Sequence, residues 1–116
     1  MTHEMRLDTR HFDRMARGEK TVEMRLFDEK RQKISVGDSI VFTDASDASR
    51  QLSVRVVALH RFANFADLYR TLPLVQCGYT PEEIALASPT DMEIYYPIAE
   101  QNRYGVVGIE ILPIDI

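Results

Sequence analysis

The spacing of apolar positions changes several times along the chain, and each change marks an expected element. From Glu4 to Asp8 apolar and polar residues alternate, with Met5 and Leu7 on one side, as in a short half-buried strand. Phe12, Met15 and Ala16 then fall at i, i+3 and i+4, the spacing of one helical face, with Thr9 placed to cap that helix and Gly18 to end it. Residues 20–27, KTVEMRLF, alternate again: Val22, Met24 and Leu26 share one face of a strand, and Thr21, Glu23 and Arg25 the other. The polar run at 28–33 predicts a loop or a single helical turn, and Val36-Gly37-Asp38 a turn delivering the strand SIVFT at 39–43. Residues 44–50, DASDASR, read as the most exposed loop, and Leu52–Leu59 as a fourth strand. Beyond it the character changes. Asn64 with Asp67, Thr80 with Glu83, and Ser88 with Asp91 have the spacing of helix caps, and Pro81 and Pro89 stand at the first helical position behind two of them. About three short helices are therefore expected between residues 64 and 103. A last strand, GVVGIEIL, follows at 105–112.

Short strands with helices inserted before the last of them predict an α+β fold on a curled or closed sheet. A doubly wound nucleotide-binding fold is excluded, since the chain has neither GxGxxG nor GxxxxGK[ST] and no regular strand–helix alternation. No linker or repeat divides the 116 residues, and 45% hydrophobic with 28% charged composition suits one globular core, so 1–116 is expected to be a single domain. No apolar run reaches the roughly 18 residues of a membrane span. The start MTHEMRLD lacks the apolar stretch of a secretory leader. A cytoplasmic protein without a membrane partner is the expectation. Cys77, the single cysteine, sits between the apolar run LPLVQ and Gly78 and reads as a packed thiol. His3, His11 and His60 lack metal-ligand spacing, so no metal or other cofactor is expected.

The net charge of −4 argues against coating nucleic acid by bulk electrostatics, but it is unevenly spread. Residues 1–61 hold 12 Lys and Arg against 10 Asp and Glu, whereas residues 62–116 hold 2 against 8. A basic face beside an acidic one is compatible with that count, as is scattered solvated charge.

Candidate chemistry concentrates at the helix-to-strand junction from Gly18 to Arg25. Lys20 offers an ammonium for a phosphate, or a general base if desolvated. Glu23 offers an acid/base or an acceptor for a base amino group, and Arg25 a planar fork for phosphate, carboxylate or guanine. Strict alternation puts Lys20 and Glu23 on opposite faces; they converge only if Lys20 lies in the turn before the strand. The competing reading is an ion-pair network that closes one end of the fold and binds nothing. Lys30, Arg31, Lys33, His60 and Arg61 suit a basic rim or simply a solvated loop. Tyr69, Tyr95, Tyr96 and Tyr104 suit base stacking or core packing; Tyr69, four residues after Phe65, favours packing, and Tyr104 at the mouth of the last strand is the best stacking candidate. Gly108 inside a strand predicts a bulge more readily than a ligand contact.

Gly18, Lys20, Glu23 and Arg25 reproduce the pattern GxKxxExR. IxVGDxIxF at 34–42, ALHRF at 58–62 and YGVVGIEI at 104–111 follow in order. On these residues the chain resembles the ASCH domain, a member of the PUA-like superfamily. The resemblance implies a small mixed β-barrel of about five or six strands with peripheral short helices, and a cleft around the signature residues. It also implies RNA or a nucleotide-like ligand as partner. The binding set it suggests is Lys20, Thr21, Glu23 and Arg25, with Lys30, Arg31, His60, Arg61 and Tyr104 around them. The alternative is a small hydrolase acting on RNA or an acylated nucleoside, with Lys20 and Glu23 as acid and base. One branch of the family deacetylates N4-acetylcytidine through a KTxT pattern. Here Glu23 stands at the second threonine and Thr21 two residues earlier, so that nucleophile does not carry over. A third reading is a regulatory domain that meets a metabolite or protein through the acidic helices.

Overall fold

The computed structural model describes residues 1–114. Five strands, β1 (Thr2–Leu7), β2 (Val22–Leu26), β3 (Ser39–Asp44), β4 (Asp47–Phe62) and β5 (Val106–Pro113), form one sheet in the order β1-β3-β4-β5-β2. The β1–β3 pair is parallel and the other three pairs are antiparallel. β1 and β2, successive strands of the chain, therefore lie at opposite edges of the sheet. The sheet curls far enough to bring those edges together: Arg25 on β2 donates from Nη2 to the Arg6 carbonyl on β1 at 2.8 Å. This is a five-stranded half-barrel with an open seam between β1 and β2, the α+β architecture expected from short strands and late helices.

The interior of the half-barrel holds Met5, Leu7, Ile40, Phe42, Val54, Val56, Val107, Ile109 and Ile111. Helix α1 (Thr9–Ala16) closes one end by inserting Phe12 and Met15, each contributing roughly 1.5–3 kcal/mol of burial. Its cap is Asp8, not Thr9. The Asp8 carboxylate accepts from the His11 N–H at 2.9 Å, while the Thr9 hydroxyl donates to Asp44 at 2.8 Å. Two adjacent cap-forming residues compete here, and the tertiary partner on β3 takes the threonine. Gly18, at φ +79, ends the helical turn as expected by donating to the Met15 carbonyl.

A second core covers the outer face of β2 and β5. Val22, Met24, Leu26 and Val106 pack there with Phe65 and Leu68 of α2 (Phe65–Thr71), Cys77 and Met92. Both faces of β2 are consequently covered, and Glu23 and Arg25, paired with Ile109 and Val107, point toward the barrel interior.

Three further expectations need correction. The segment 44–50 is not a loop, because only Ala45 and Ser46 turn the chain and β4 already begins at Asp47. Buried Asp44 fixes that turn by accepting from Thr9, the Ser46 N–H and Arg50; the polar composition marked exposure rather than irregular backbone. The stretch from 64 to 104 contains α2, two 3-10 segments (Ile84–Leu86 and Pro89–Ile94) and α3 (Ile98–Tyr104), four pieces instead of three. The Ser88–Asp91 capping box forms as expected, but Glu83 accepts from the Thr80 N–H within a turn, and the 3-10 segment starts only at Ile84. Gly108 marks no bulge; the irregularity lies on β4 between Val56 and Ala58. A Cβ at Gly108 would stand 2.7 Å from Leu72 Cδ1 and 3.1 Å from Val22 Cγ1, so the glycine lets α2 approach the sheet. Among the described residues no helix is long and apolar enough to cross a membrane.

Candidate functional site: a cleft at the open seam

Where the sheet fails to close, β1 and β2 and the 3-10 segment Pro89–Ile94 with the tyrosines after it border a cleft of about 200 Å³. Arg6, Leu7 and Asp8 come from the end of β1, His11 from α1, Lys20, Glu23, Met24 and Arg25 from the junction and β2, and Met92, Tyr95 and Tyr96 from the inserted segment. The floor is a chain of buried charges. Lys20 lies before the first residue of β2, which frees it from strand alternation, and its Nζ sits 2.9 Å from Glu23 Oε1. The other Glu23 oxygen accepts from Arg25 Nε at 2.7 Å. Side-chain exposure is 3% for Lys20, 6% for Glu23 and 14% for Arg25, so the network is nearly dry yet opens onto the cleft through the arginine.

Each charge is held in place by its partners. Burial alone would raise the Glu23 pKa, but Lys20 and Arg25, through charge and hydrogen bonds, outweigh burial and bring it down to about 2. Lys20 donates to Glu23, to His11 Nδ1 at 3.1 Å and to the Cys77 carbonyl at 3.1 Å, which uses all three ammonium protons. Burial, reinforced by the charge of Lys20, lowers the pKa of His11 below its ordinary 6.5, so its ring is neutral near pH 7 and Nδ1 is free to accept. Burial opposes the Arg25 charge, but Glu23 and then Tyr96 overcome that and raise its pKa. Its Nε and Nη2 are engaged by Glu23 and Arg6, and Tyr96 lies against the same guanidinium.

The turn at Cys77-Gly78 seals the inner side. Gln76 accepts from the N–H groups of Thr21 and Val22, and Arg14 donates to the Gly78 carbonyl while pairing with Glu83. Gly78 has φ +118, and a Cβ there would lie 2.8 Å from the His11 ring and 3.2 Å from Lys20 Nζ. Cys77 is fully buried, and burial pushes its thiol up to about 11, the packed thiol expected from its sequence surroundings.

The remaining candidates divide. Thr21 is half-buried and tied by its backbone to Gln76 and Ile111, outside the cleft lining. Lys30 is exposed, Arg31 is held by Asp28 at 2.8 Å, and His60 pairs with Glu110 at 2.9 Å; none of the three reaches the cleft. Arg61 and Tyr104 lie together, but at a second hollow. Tyr69 packs against the second core and meets Tyr79 edge-on. Tyr96 combines two roles, stacking on Phe65 with ring centroids 5.9 Å apart while lining the cleft, and Tyr95 is 61% exposed at its rim. Sequence reasoning missed Arg6, Asp8, His11 and Met92. Nothing local marks them, because they meet Glu23 and Arg25 only through the curl of the sheet and the return of a distant segment.

Residues 3–115 match the family model of the ASCH domain. The chain belongs to the ASCH domain family. The family is associated at a general level with nucleic-acid binding, RNA in particular. Among solved structures, this ASCH domain is similar to hypothetical protein PH0355, with 29% identity and a TM-score of 0.78 over 98% of this chain and 100% of that one. It is also similar to protein PF0455 from Pyrococcus furiosus, with 30% identity and a TM-score of 0.73 over the whole of both chains. An ASCH protein from Zymomonas mobilis shares the fold at 14% identity, with a TM-score of 0.59 over 97% of this chain and 72% of the other. No curated protein matches the chain.

Proposed function

We propose that this ASCH domain binds single-stranded RNA by admitting one nucleobase into the seam cleft. The observation that carries this reading is the buried Lys20–Glu23–Arg25 chain, open to a recess walled by Met24, Met92, Tyr95 and Tyr96. A cleft of about 200 Å³ is smaller than the roughly 300–1,000 Å³ of drug-sized sites and suits a single planar ring. Its lining carries three cations (Arg6, Lys20, Arg25) against two carboxylates (Asp8, Glu23), a small positive excess that favours a ligand attached to phosphate. In this arrangement Tyr96 and the methionines cover the base, and Arg25 and the second lone pairs of Glu23 meet its edge. Lys20 acts through Glu23, holding the carboxylate rather than touching the ligand. Stacking and an ordered polar edge are how unpaired bases are commonly read.

The site gives the hydrolytic alternative little to work with. A carboxylate at about 2 is a weak base at neutral pH, and a lysine donating three hydrogen bonds has no lone pair to offer. Fluorescence anisotropy with a labelled single-stranded RNA, titrated at several salt concentrations, tests the proposal. Affinity is expected to fall with a log–log slope of about −0.7 per phosphate contacted, and Tyr96→Leu is expected to weaken it several-fold. Absent binding, or affinity indifferent to both salt and Tyr96→Leu, overturns it.

A further inference from the structure

The second hollow has a composition of its own. Phe27, Arg61, Phe62, Ala63, Tyr104, Gly105 and Val106 enclose about 370 Å³ at the far end of β2. Two arginines lie over aromatic rings of its lining, Arg61 from within the hollow and Arg103 from beside it: the Arg61 guanidinium carbon is 4.2 Å from the Phe27 centroid, and that of Arg103 is 4.8 Å from the Tyr104 centroid. Among the described residues neither arginine forms a salt bridge or donates a hydrogen bond, in contrast to Arg10, Arg14, Arg17, Arg25, Arg31, Arg50 and Arg70, each of which has a carboxylate partner. Both are exposed, so their charge is available to an incoming group. Glu29 accepts from the Tyr104 hydroxyl at 3.3 Å, which orients that ring and leaves one net positive charge around the hollow.

We infer that this hollow is a second nucleotide subsite, with Arg61 and Arg103 meeting phosphate and the Phe27–Arg61 and Tyr104–Arg103 stacks offering a platform for a base. A guanidinium lying over a ring presents its opposite face to another planar group, and unpaired bases stack on both arginine planes and aromatic rings. The location connects the two sites. Arg25 borders the seam cleft and Phe27 the hollow, and two residues of extended chain span roughly 7 Å. The inference thus rests on the RNA-binding reading for its strand of RNA, though the hollow alone has the chemistry for a free nucleotide.

The test is amide-resolved NMR of the full chain, titrated separately with each nucleoside 5′-monophosphate and with an eight-nucleotide single-stranded RNA of mixed sequence. The same titrations are run on the double variant Arg61→Gln/Arg103→Gln. Shifts from the octamer both at Met24, Arg25, Tyr95 and Tyr96 and at Phe27, Arg61, Phe62 and Gly105 support the inference. The double variant is then expected to lose the second set, bind the octamer on the order of tenfold more weakly and reduce its salt slope by about 1.4. Shifts in the first set alone, or octamer affinity within twofold in the double variant, overturn the second subsite while leaving the seam cleft's function standing. Shifts in the second set alone support the subsite and overturn the proposed function. If the monophosphates shift the second set and the octamer does not, the hollow takes free nucleotides and not a strand. No shift with any ligand overturns both.

Discussion

Replacing Glu23 by Gln keeps the shape of the side chain and removes the one negative charge that Lys20 and Arg25 share at 2.9 and 2.7 Å. Two cations are then left in nearly dry surroundings, and breaking a buried pair in this way costs about 3–5 kcal/mol. The proton equilibrium gives a figure of the same order: holding a carboxyl at about 2 instead of its ordinary 4.5 is worth roughly 3 kcal/mol of stability at neutral pH. The folded value is the lower one, so this contribution is fully present above about 4.5 and drains away as the pH falls through about 2. Urea unfolding of wild type and Glu23→Gln at pH 7, 5, 3 and 2 measures the difference directly. The variant is expected to be less stable by about 3–5 kcal/mol at pH 7, melting roughly 10–20 °C lower. The gap should narrow steadily below pH 4.5, because the unfolded wild-type chain takes up the proton there while the folded carboxyl keeps its charge down to about 2. Asp38 and Glu83, also held at about 2, titrate in both proteins and cancel in the difference. A gap that stays constant from pH 7 to 2, or one below about 1 kcal/mol at pH 7, refutes the claim that the Glu23 charge organises the site.

Other consequences are equally specific. His11 should titrate in NMR with a midpoint below 6.5, because burial and Lys20 lower it; its neutral form stabilises the fold above pH 6.5 and that contribution is lost as pH falls through the folded midpoint, whereas a midpoint above 6.5 contradicts the Lys20 contact. Gly78→Ala forces a side chain into φ +118 and against the His11 ring, and should cost about 1–3 kcal/mol in urea unfolding; a cost under about 0.5 kcal/mol counts against this packing. Cys77, buried and with its thiol at about 11, should resist a disulfide-exchange reagent at pH 8 in the native protein and react at once in urea.

Much of the fold was readable because alternation survives wherever a strand has one buried and one open face. Met5 and Leu7 are legible in this way. β2 was harder, since the curl of the sheet and the return of α2 cover both of its faces and bring Glu23 in with its apolar neighbours. The hairpin at 44–50 misled because Asp and Ser favour turns, while the tertiary contacts of Asp44 that tighten this turn are invisible locally. At the site, Lys20, Glu23 and Arg25 are close in sequence and could be grouped; whether Lys20 and Glu23 met depended on one turn, and it brings them together. Arg61 and Tyr104 could be recognised as basic and aromatic candidates, but not as members of a hollow separate from the signature residues. His11 and Tyr96 reach the cleft from α1 and from a segment seventy residues beyond β2, and only the return of the chain over the open seam makes them neighbours. Tyr95, which the sequence leaves open between base stacking and core packing, lies 61% exposed at the rim.

The most direct test of base insertion at the seam is photocrosslinking of the wild-type chain to single-stranded RNA containing 4-thiouridine, with the attachment sites mapped by mass spectrometry. Base insertion predicts adducts on Met92, Tyr95 or Tyr96, reduced when the salt concentration is raised. Adducts confined to surfaces away from the cleft would contradict it.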